Sequence, residues 1–128
     1  MNYITDTHAL VWYFTENELL SKKAQEVFHR TIEKELIIIP TIVLAEILYI
    51  SKKARISLTF EETLEKIKGY ENFDISPLDI DILKVANKIE TDMEMHYRLI
   101  VATAMYYDAA LITKDEKIRG LEIVTTIW

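Results

Sequence analysis

The sequence predicts an α/β fold in which a mostly parallel sheet is covered by helices on both faces. Short apolar runs alternate along the chain with longer amphipathic segments, the pattern of successive strand and helix units. Residues 36–39 are uninterruptedly apolar, as expected of a strand buried on both faces. Only two glycines and two prolines occur in 128 residues, so we expect short connections between regular elements.

In the first half of the chain, predicted strands and helices alternate from the first residues onward. A short strand is predicted at 3–6 and ends in an acid, and a helix at 7–14 follows it. A second helix is predicted at 19–34, with Ser21 near its start and apolar positions at Ala24, Val27, Phe28 and Ile32. The strand at 36–39 is closed by Pro40. Residues 41–53 are then predicted to form a helix that is apolar on nearly all sides and ends in polar residues at 51–53.

The second half continues the alternation. We predict an amphipathic helix at 59–70 with Gly69 near its end, then a strand at 73–75. Helices at 79–90 and 96–107 come next, the first of them after Ser76 and Pro77. A strand at 109–113 ends in Lys114 and Asp115, and residues 123–124 are predicted as the last strand.

Composition restricts the classes of function. The chain has no cysteine, which excludes disulfides, thiolate metal sites and cysteine nucleophiles. A net charge of −6 argues against a protein that coats nucleic acid through a basic surface, although it does not exclude a metal-dependent nuclease. No secretory signal and no membrane-spanning run is found, so we expect a cytoplasmic protein without membrane contact. Residues 1–128 are expected to form a single domain.

Acids follow two of the predicted strands. Asp6 closes the first strand and Asp115 stands just beyond the strand at 109–113. Carboxyl ends of parallel strands share one edge of the sheet, where sites of such folds gather. The alternative for each aspartate is a helix cap. Two acids at one edge favour a site.

Glu46 is a third candidate. At helical spacing its neighbours are Ile42, Val43 and Ile50, so its carboxylate should be at least partly buried. Burial of an unpaired carboxylate is unfavourable, which favours a metal or another partner. The alternatives are an exposed stripe or an ion pair with a lysine or arginine. Three converging acids would form an oxygen site of the kind that Mg²⁺ or Mn²⁺ prefers.

Four stretches of the chain, taken in order, resemble the signature stretches of the PIN domain, and most closely those of VapC toxins. They are ITDTHAL at 4–10, LAEI at 44–47, HYRLIVATA at 96–104 and LITKD at 111–115. The resemblance runs to about residue 124. It implies a three-layer α/β/α sandwich and a Mg²⁺- or Mn²⁺-dependent endoribonuclease. It also implies a homodimer and a cognate antitoxin as partners. Position by position, it makes Asp6, Glu46 and Asp115 the catalytic and metal-binding acids.

One position departs from the family pattern. The third stretch normally contains His-Asp-Arg, and here it contains His96, Tyr97 and Arg98. A phenol is neutral at physiological pH and is a poor ligand for a hard divalent ion. We therefore expect weak metal binding and little hydrolysis from this chain. Three explanations stay open: a deliberately disabled variant, a natural relative that has kept only a binding role, or replacement of the missing ligand by Glu94 or Asp92.

Four further residues flank the candidate acids. Thr7 and Thr113 are candidates to hydrogen-bond metal-bound water, with strand-end capping as the alternative. His96 is a candidate for substrate contact or for packing at the helix start, and Arg98 for phosphate contact or pairing with a surface acid.

Two clusters lie outside the four stretches. The aromatic residues Trp12, Tyr13 and Phe14 are expected to belong partly to the core and partly to a dimer or antitoxin contact. Lys52, Lys53 and Arg55 form a compact basic patch, for which a solvated helix end is favoured over contact with the RNA backbone.

Two functions from different classes follow. The first is a metal-dependent endoribonuclease toxin that is impaired at Tyr97. The second is a catalytically inactive module of the same fold that binds antitoxin or RNA. A pocket of carboxylates could receive an arginine or lysine of a partner peptide, which gives the second function a physical basis.

Overall fold

The computed structural model describes residues 1–30 and 35–128, and within these ranges the chain forms five strands and seven helices. The strands are β1 (Tyr3–Thr5), β2 (Ile37–Pro40), β3 (Phe73–Ser76), β4 (Ala110–Ile112) and β5 (Thr126–Ile127). The helices are α1 (Thr7–Phe14), α2 (Lys22–His29), α3 (Thr41–Lys52), α4 (Phe60–Lys68), α5 (Ile80–Lys88), α6 (Met95–Tyr106) and α7 (Glu116–Arg119).

The five strands form one sheet with the order β3-β2-β1-β4-β5, and every neighbouring pair is parallel. The strand β1 lies at its centre, with Tyr3 opposite Ile37 on one side and Ala110 on the other. All residues of β1, β2 and β4 are buried. The prediction of an α/β fold with a sheet covered on both faces is therefore confirmed, and the fold is the three-layer α/β/α sandwich.

Helix starts follow the local sequence closely. The side chains of Asp6, Ser21, Thr59, Asp79 and Asp115 each accept a hydrogen bond from a backbone N–H in the first turn of the helix that follows. Such caps satisfy donors that have no partner inside the helix. The capping role weighed for Asp6 and Asp115 is thus observed for both.

Two predicted boundaries were wrong. The helix predicted at 19–34 begins only at Lys22, because Ser21 caps it, and it ends at His29, where Arg30 takes an extended conformation. Residues 31–34, including Ile32, lie outside the described residues. The last strand is Thr126–Ile127 rather than 123–124, because Thr126 and Ile127 are the residues that pair with Leu111 and Ile112 of β4. Ile123 is instead exposed.

Neither α3 nor α6, the two longest helices, exceeds 12 residues. A helix that crosses a bilayer needs about 20 apolar residues. Within residues 1–30 and 35–128, no helix has the length and apolar character that a membrane span requires.

Candidate carboxylate site

The candidate site lies at the carboxyl ends of β1 and β4. These strands are neighbours in the sheet, and the N–H of Asp6 donates to the carbonyl of Ile112 at 3.2 Å. Asp6 is the first residue after β1, and Asp115 is the third after β4. The two aspartates therefore start α1 and α7 from the same edge of the sheet, as the strand pattern predicted.

Asp6 is almost completely buried, with 5% of its surface exposed. Burial raises the pKa of its carboxyl group, because the charged form loses its solvation. Hydrogen bonds from the Thr113 hydroxyl and from the N–H of Ala9, the latter 2.9 Å from Oδ1, act in the opposite direction. The nearby Asp115 carboxylate raises this pKa further. The site thus contains a carboxylate whose charge the fold disfavours.

Thr113 connects the two aspartates. Its hydroxyl lowers the pKa of Asp6, and its oxygen accepts the N–H of Asp115 at 3.1 Å. The Asp115 carboxylate in turn accepts the N–H of Ile118 at 2.9 Å. Thr113 is fully buried and interacts with both acids. Thr113 thus lies next to the candidate acids, as the sequence indicated.

Glu46 enters from α3 and is partly buried, as predicted from its apolar neighbours. Its Oε2 atom lies 2.9 Å from Nε2 of His96, and the other ring nitrogen of His96 lies 2.7 Å from Oε1 of Glu94. The partner of Glu46 is therefore a histidine, not the lysine or arginine considered above. Each ring nitrogen of His96 therefore contacts a different carboxylate.

Tyr97 stands in the first turn of α6, and its ring centroid lies 4.2 Å from that of His96. Its pKa is raised to about 12, first by burial and then by the negative charges of four carboxylates. They are Asp115, Asp6, Glu46 and Glu94, in order of decreasing effect. The phenol therefore stays protonated at neutral pH, and Tyr97 borders the same cavity as Asp6 and Asp115.

The donor set of this arrangement does not fit a resident Mg²⁺ or Mn²⁺ ion. Across the two described ranges, no three histidine, aspartate or glutamate side chains converge so that they could hold one metal ion. Glu46 is engaged by His96, and the position where the family pattern has an acid is occupied by Tyr97, whose phenol is neutral. Hard divalent ions prefer carboxylate oxygens and water over a protonated phenol. The metal-binding roles of Asp6, Glu46 and Asp115 remain predictions.

Comparison with known proteins adds to this geometry. The model of the PIN domain matches residues 3–123. This chain belongs to the PIN domain family. A search of curated proteins found no relative that matches it.

Solved structures with the same fold include chains of toxin–antitoxin complexes. The chain is similar to one in VapBC2 from Rickettsia felis bound to a promoter DNA fragment, with 18% identity, a TM-score of 0.74 and coverage of 98% and 97% of the two chains. A toxin–antitoxin complex from Klebsiella pneumoniae gives 20% identity, a TM-score of 0.68 and coverage of 97% and 96%. VapC20 from Mycobacterium tuberculosis, described as a Sarcin-Ricin loop cleaving toxin, gives 10% identity, a TM-score of 0.62 and coverage of 96% and 98%. At these identities the likeness shows the fold.

Arg98 of this PIN domain binds backbone carbonyl groups. Its guanidinium donates to the carbonyl oxygens of Ile89 at 2.6 Å, Thr91 at 2.9 Å and Ala86 at 3.3 Å. These carbonyls belong to the end of α5 and the segment after it, where helix carbonyls need donors. Arg98 therefore joins α5 to α6, and within residues 1–30 and 35–128 it forms no ion pair with an acid.

Thr7, the aromatic cluster and the basic patch differ in burial and in hydrogen bonding. The Thr7 hydroxyl is buried and has no hydrogen-bond partner within the described residues. Tyr13 and Phe14 are core residues, as expected for part of the aromatic cluster, while Trp12 is only half-buried. In the basic patch, Nζ of Lys53 lies 2.7 Å from the hydroxyl of Tyr49, and the patch is exposed at the end of α3.

Two cavities meet at Tyr97 and Asp115. The larger has a volume of about 710 Å³ and extends along the segment before α6 and along α7. The smaller, about 380 Å³, lies on the side of Asp6. Of the residues that border them, Glu94 was considered from sequence without a position, and Lys114 was noted only as a strand end. Their proximity to the acids depends on the packing of α6 and α7, which no local pattern reveals.

Proposed function

We propose that residues 1–128 form a single PIN domain that is the toxin of a toxin–antitoxin pair, an endoribonuclease whose hydrolytic activity Tyr97 reduces. The observation that carries this proposal is the position of Tyr97, which borders the same cavity as Asp6 and Asp115 and lies against the His96 that contacts Glu46. The fold and the three acids support a nuclease of this family, and Tyr97 supports its impairment.

The fold neighbours support the biological context. Several are chains of toxin–antitoxin complexes, and one is a toxin that cleaves the Sarcin-Ricin loop. We therefore propose RNA as the substrate, an antitoxin as the partner, and a homodimer as the assembly. Such a reaction would take place in the cytoplasm.

The chemistry of the described residues explains why hydrolysis should be weak. Cleavage of a phosphodiester adds negative charge to a group that is already anionic, so the site must supply positive charge or strong donors. Asp6, Asp115 and Glu46 supply negative charge instead, and Tyr97 contributes a single neutral donor. The acids therefore repel the scissile phosphate more than the phenol attracts it. We propose that an aspartate at position 97 would complete the Mg²⁺ or Mn²⁺ site that the family implies.

The second candidate is a PIN module without catalytic activity that binds antitoxin or RNA. The contact between His96 and Glu46 favours it, because that contact occupies an acid which a nuclease of this family would need. The remaining carboxylates could accept a guanidinium from a partner peptide through charge-assisted hydrogen bonds.

Cleavage of a mixed-sequence RNA with Mn²⁺ present separates the two candidates. The proteins to compare are this chain, Tyr97→Asp and the matched control Tyr97→Phe, which removes the hydroxyl without restoring an acid. The endoribonuclease proposal predicts that Tyr97→Asp cleaves at least about 100-fold faster than either other protein, as expected when a charge-stabilising group is restored. Equal and negligible rates for all three, with folded proteins by circular dichroism, would favour the binding module.

A further inference from the structure

The cavity of about 380 Å³ beside Asp6 is lined by aromatic and basic residues as well as by carboxylates. It is bordered by Asp6, His8, Trp12, Tyr97, Lys114, Asp115 and Glu116. We propose that this cavity is a subsite that stacks one unpaired nucleobase of single-stranded RNA against Trp12. The inference rests on the proposed function and specifies how its substrate would be held.

Trp12 is the main surface of the subsite. It is half-buried at the end of α1, and its ring is supported edge-on by Trp128 at a centroid distance of 5.9 Å and an angle of 60°. The ring of His8 lies 5.7 Å away, tilted by 49°. Among the described residues no ring is stacked parallel on the indole, and the indole borders the cavity. A fixed aromatic face next to open space is the platform on which single-stranded bases stack.

Lys114 supplies a positive charge at the same place. Its Nζ atom lies 5.6 Å from the centroid of the Trp12 ring, and the residue is exposed. Within the described ranges no carboxylate lies within ion-pair distance of it. A lysine beside an aromatic face can bind a phosphate while the attached base stacks.

The carboxylates determine which part of a nucleotide can occupy the cavity. Asp6, Asp115 and Glu116 border it and repel phosphate groups. A base is neutral, and its exocyclic amino groups can donate hydrogen bonds to carboxylates. The base therefore belongs inside the cavity, and the phosphate belongs at the rim near Lys114.

The position of the cavity relates the subsite to the proposed reaction. Tyr97 and Asp115 border both this cavity and the larger one. A base stacked on Trp12 would thus lie next to the candidate acids, and its own phosphate would be close to the position where cleavage is proposed. The subsite would select unpaired RNA, because a base inside a duplex cannot reach Trp12.

Binding of a fluorescein-labelled short oligoadenylate RNA, measured with EDTA present, tests the subsite without cleavage. Trp12→Leu removes the aromatic face, and Trp12→Phe is the matched control that keeps one. Because loss of one stacked base weakens binding by a factor of this order, Trp12→Leu should raise Kd at least about tenfold and Trp12→Phe by less than about threefold. An RNA of the same length with abasic nucleotides should bind all three proteins equally.

Two further measurements avoid reliance on the folding of Trp12→Leu. Lys114→Gln, at an exposed position, should weaken binding of both RNAs about fivefold, as expected for one lost phosphate contact. In the Trp128→Phe protein, oligoadenylate should quench the emission of Trp12, and the abasic RNA should not. Binding that is unaffected by Trp12→Leu, or the absence of quenching on binding, overturns the subsite alone. Absence of RNA binding by every protein, Tyr97→Asp included, overturns RNA as the substrate as well.

Discussion

The Nε2 atom of His96 lies 2.9 Å from the Oε2 atom of Glu46, and this contact joins the start of α6 to the middle of α3. Both side chains are largely buried, with 18% and 21% of their surface exposed. Glu94 lies on the opposite nitrogen of the same ring but is 67% exposed. His96 thus holds Glu46 in a sheltered contact and Glu94 in a solvated one, and only the first should add much to stability.

A double-mutant cycle measures this difference. Unfolding by urea at neutral pH should give a coupling of about 1 kcal/mol between His96→Ala and Glu46→Ala, the usual contribution of a sheltered hydrogen bond. The control cycle, with His96→Ala and Glu94→Ala, should give less than about 0.5 kcal/mol, because water screens the exposed carboxylate. Additive effects in the first cycle would show that His96 does not hold Glu46 in solution.

Asp6→Asn should stabilise the protein at neutral pH. The pKa of Asp6 is raised in the folded state by burial, so the folded protein holds this proton more tightly than the unfolded chain does. That contribution to stability is complete below the ordinary value of 3.8 and is lost as pH rises through the folded pKa. Above 3.8 the unfolded chain ionises more readily than the folded protein, so the Asp6 carboxyl group lowers stability at neutral pH, and asparagine removes this cost while it still caps α1.

Thermal unfolding of the two proteins across a pH series checks this sign. The melting temperature of Asp6→Asn should exceed that of the native chain at neutral pH, and the difference should shrink as pH falls towards 3.8. A lower melting temperature for Asp6→Asn at neutral pH would mean that the hydrogen bonds from Ala9 and Thr113 favour the charged form more than burial disfavours it.

Arg98→Ala should destabilise the fold by about 2–3 kcal/mol, because the carbonyl groups of Ala86, Ile89 and Thr91 lose a charged donor. Arg98→Lys should recover part of this loss, since lysine keeps the charge but not the forked geometry. Lys88→Ala is the control: it removes an exposed positive charge from the last turn of α5 and should change stability by less than about 0.5 kcal/mol. Urea unfolding measures all three, and equal effects of Arg98→Ala and Lys88→Ala would contradict the structural role of Arg98.

The fold could be predicted because its strongest sequence signals are local. An apolar run such as the one that becomes β2 has few alternatives to a buried strand, and Ser21, Thr59 and Asp79 mark helix starts in the sequence itself. The position of β5 was missed because it depends on which residues reach β4 after α7 has turned the chain. That register is a property of tertiary structure, and the apolar pair at 123–124 gave a stronger local signal.

The candidate site could be predicted from the sequence as far as the strands determine its position. Asp6 and Asp115 were placed at one edge because each follows a strand of a parallel sheet, and Tyr97 was singled out by the family pattern. The partners of His96 and Arg98 could not be predicted from the sequence, because they lie on other segments: Glu46 on α3 for His96 and the end of α5 for Arg98. Substrate contact by His96 and phosphate contact by Arg98 stay predictions.

The central claim is that Tyr97 prevents the acids of this site from holding a divalent ion. Calorimetric titration of Mn²⁺ into this chain, Tyr97→Asp and Tyr97→Phe tests it most directly, since binding is measured without any assumption about substrate. We expect Tyr97→Asp to bind one ion, with at least about tenfold tighter affinity than the other two proteins, because a buried charged ligand has been added. Equal binding by all three proteins, whether tight or absent, would contradict the claim.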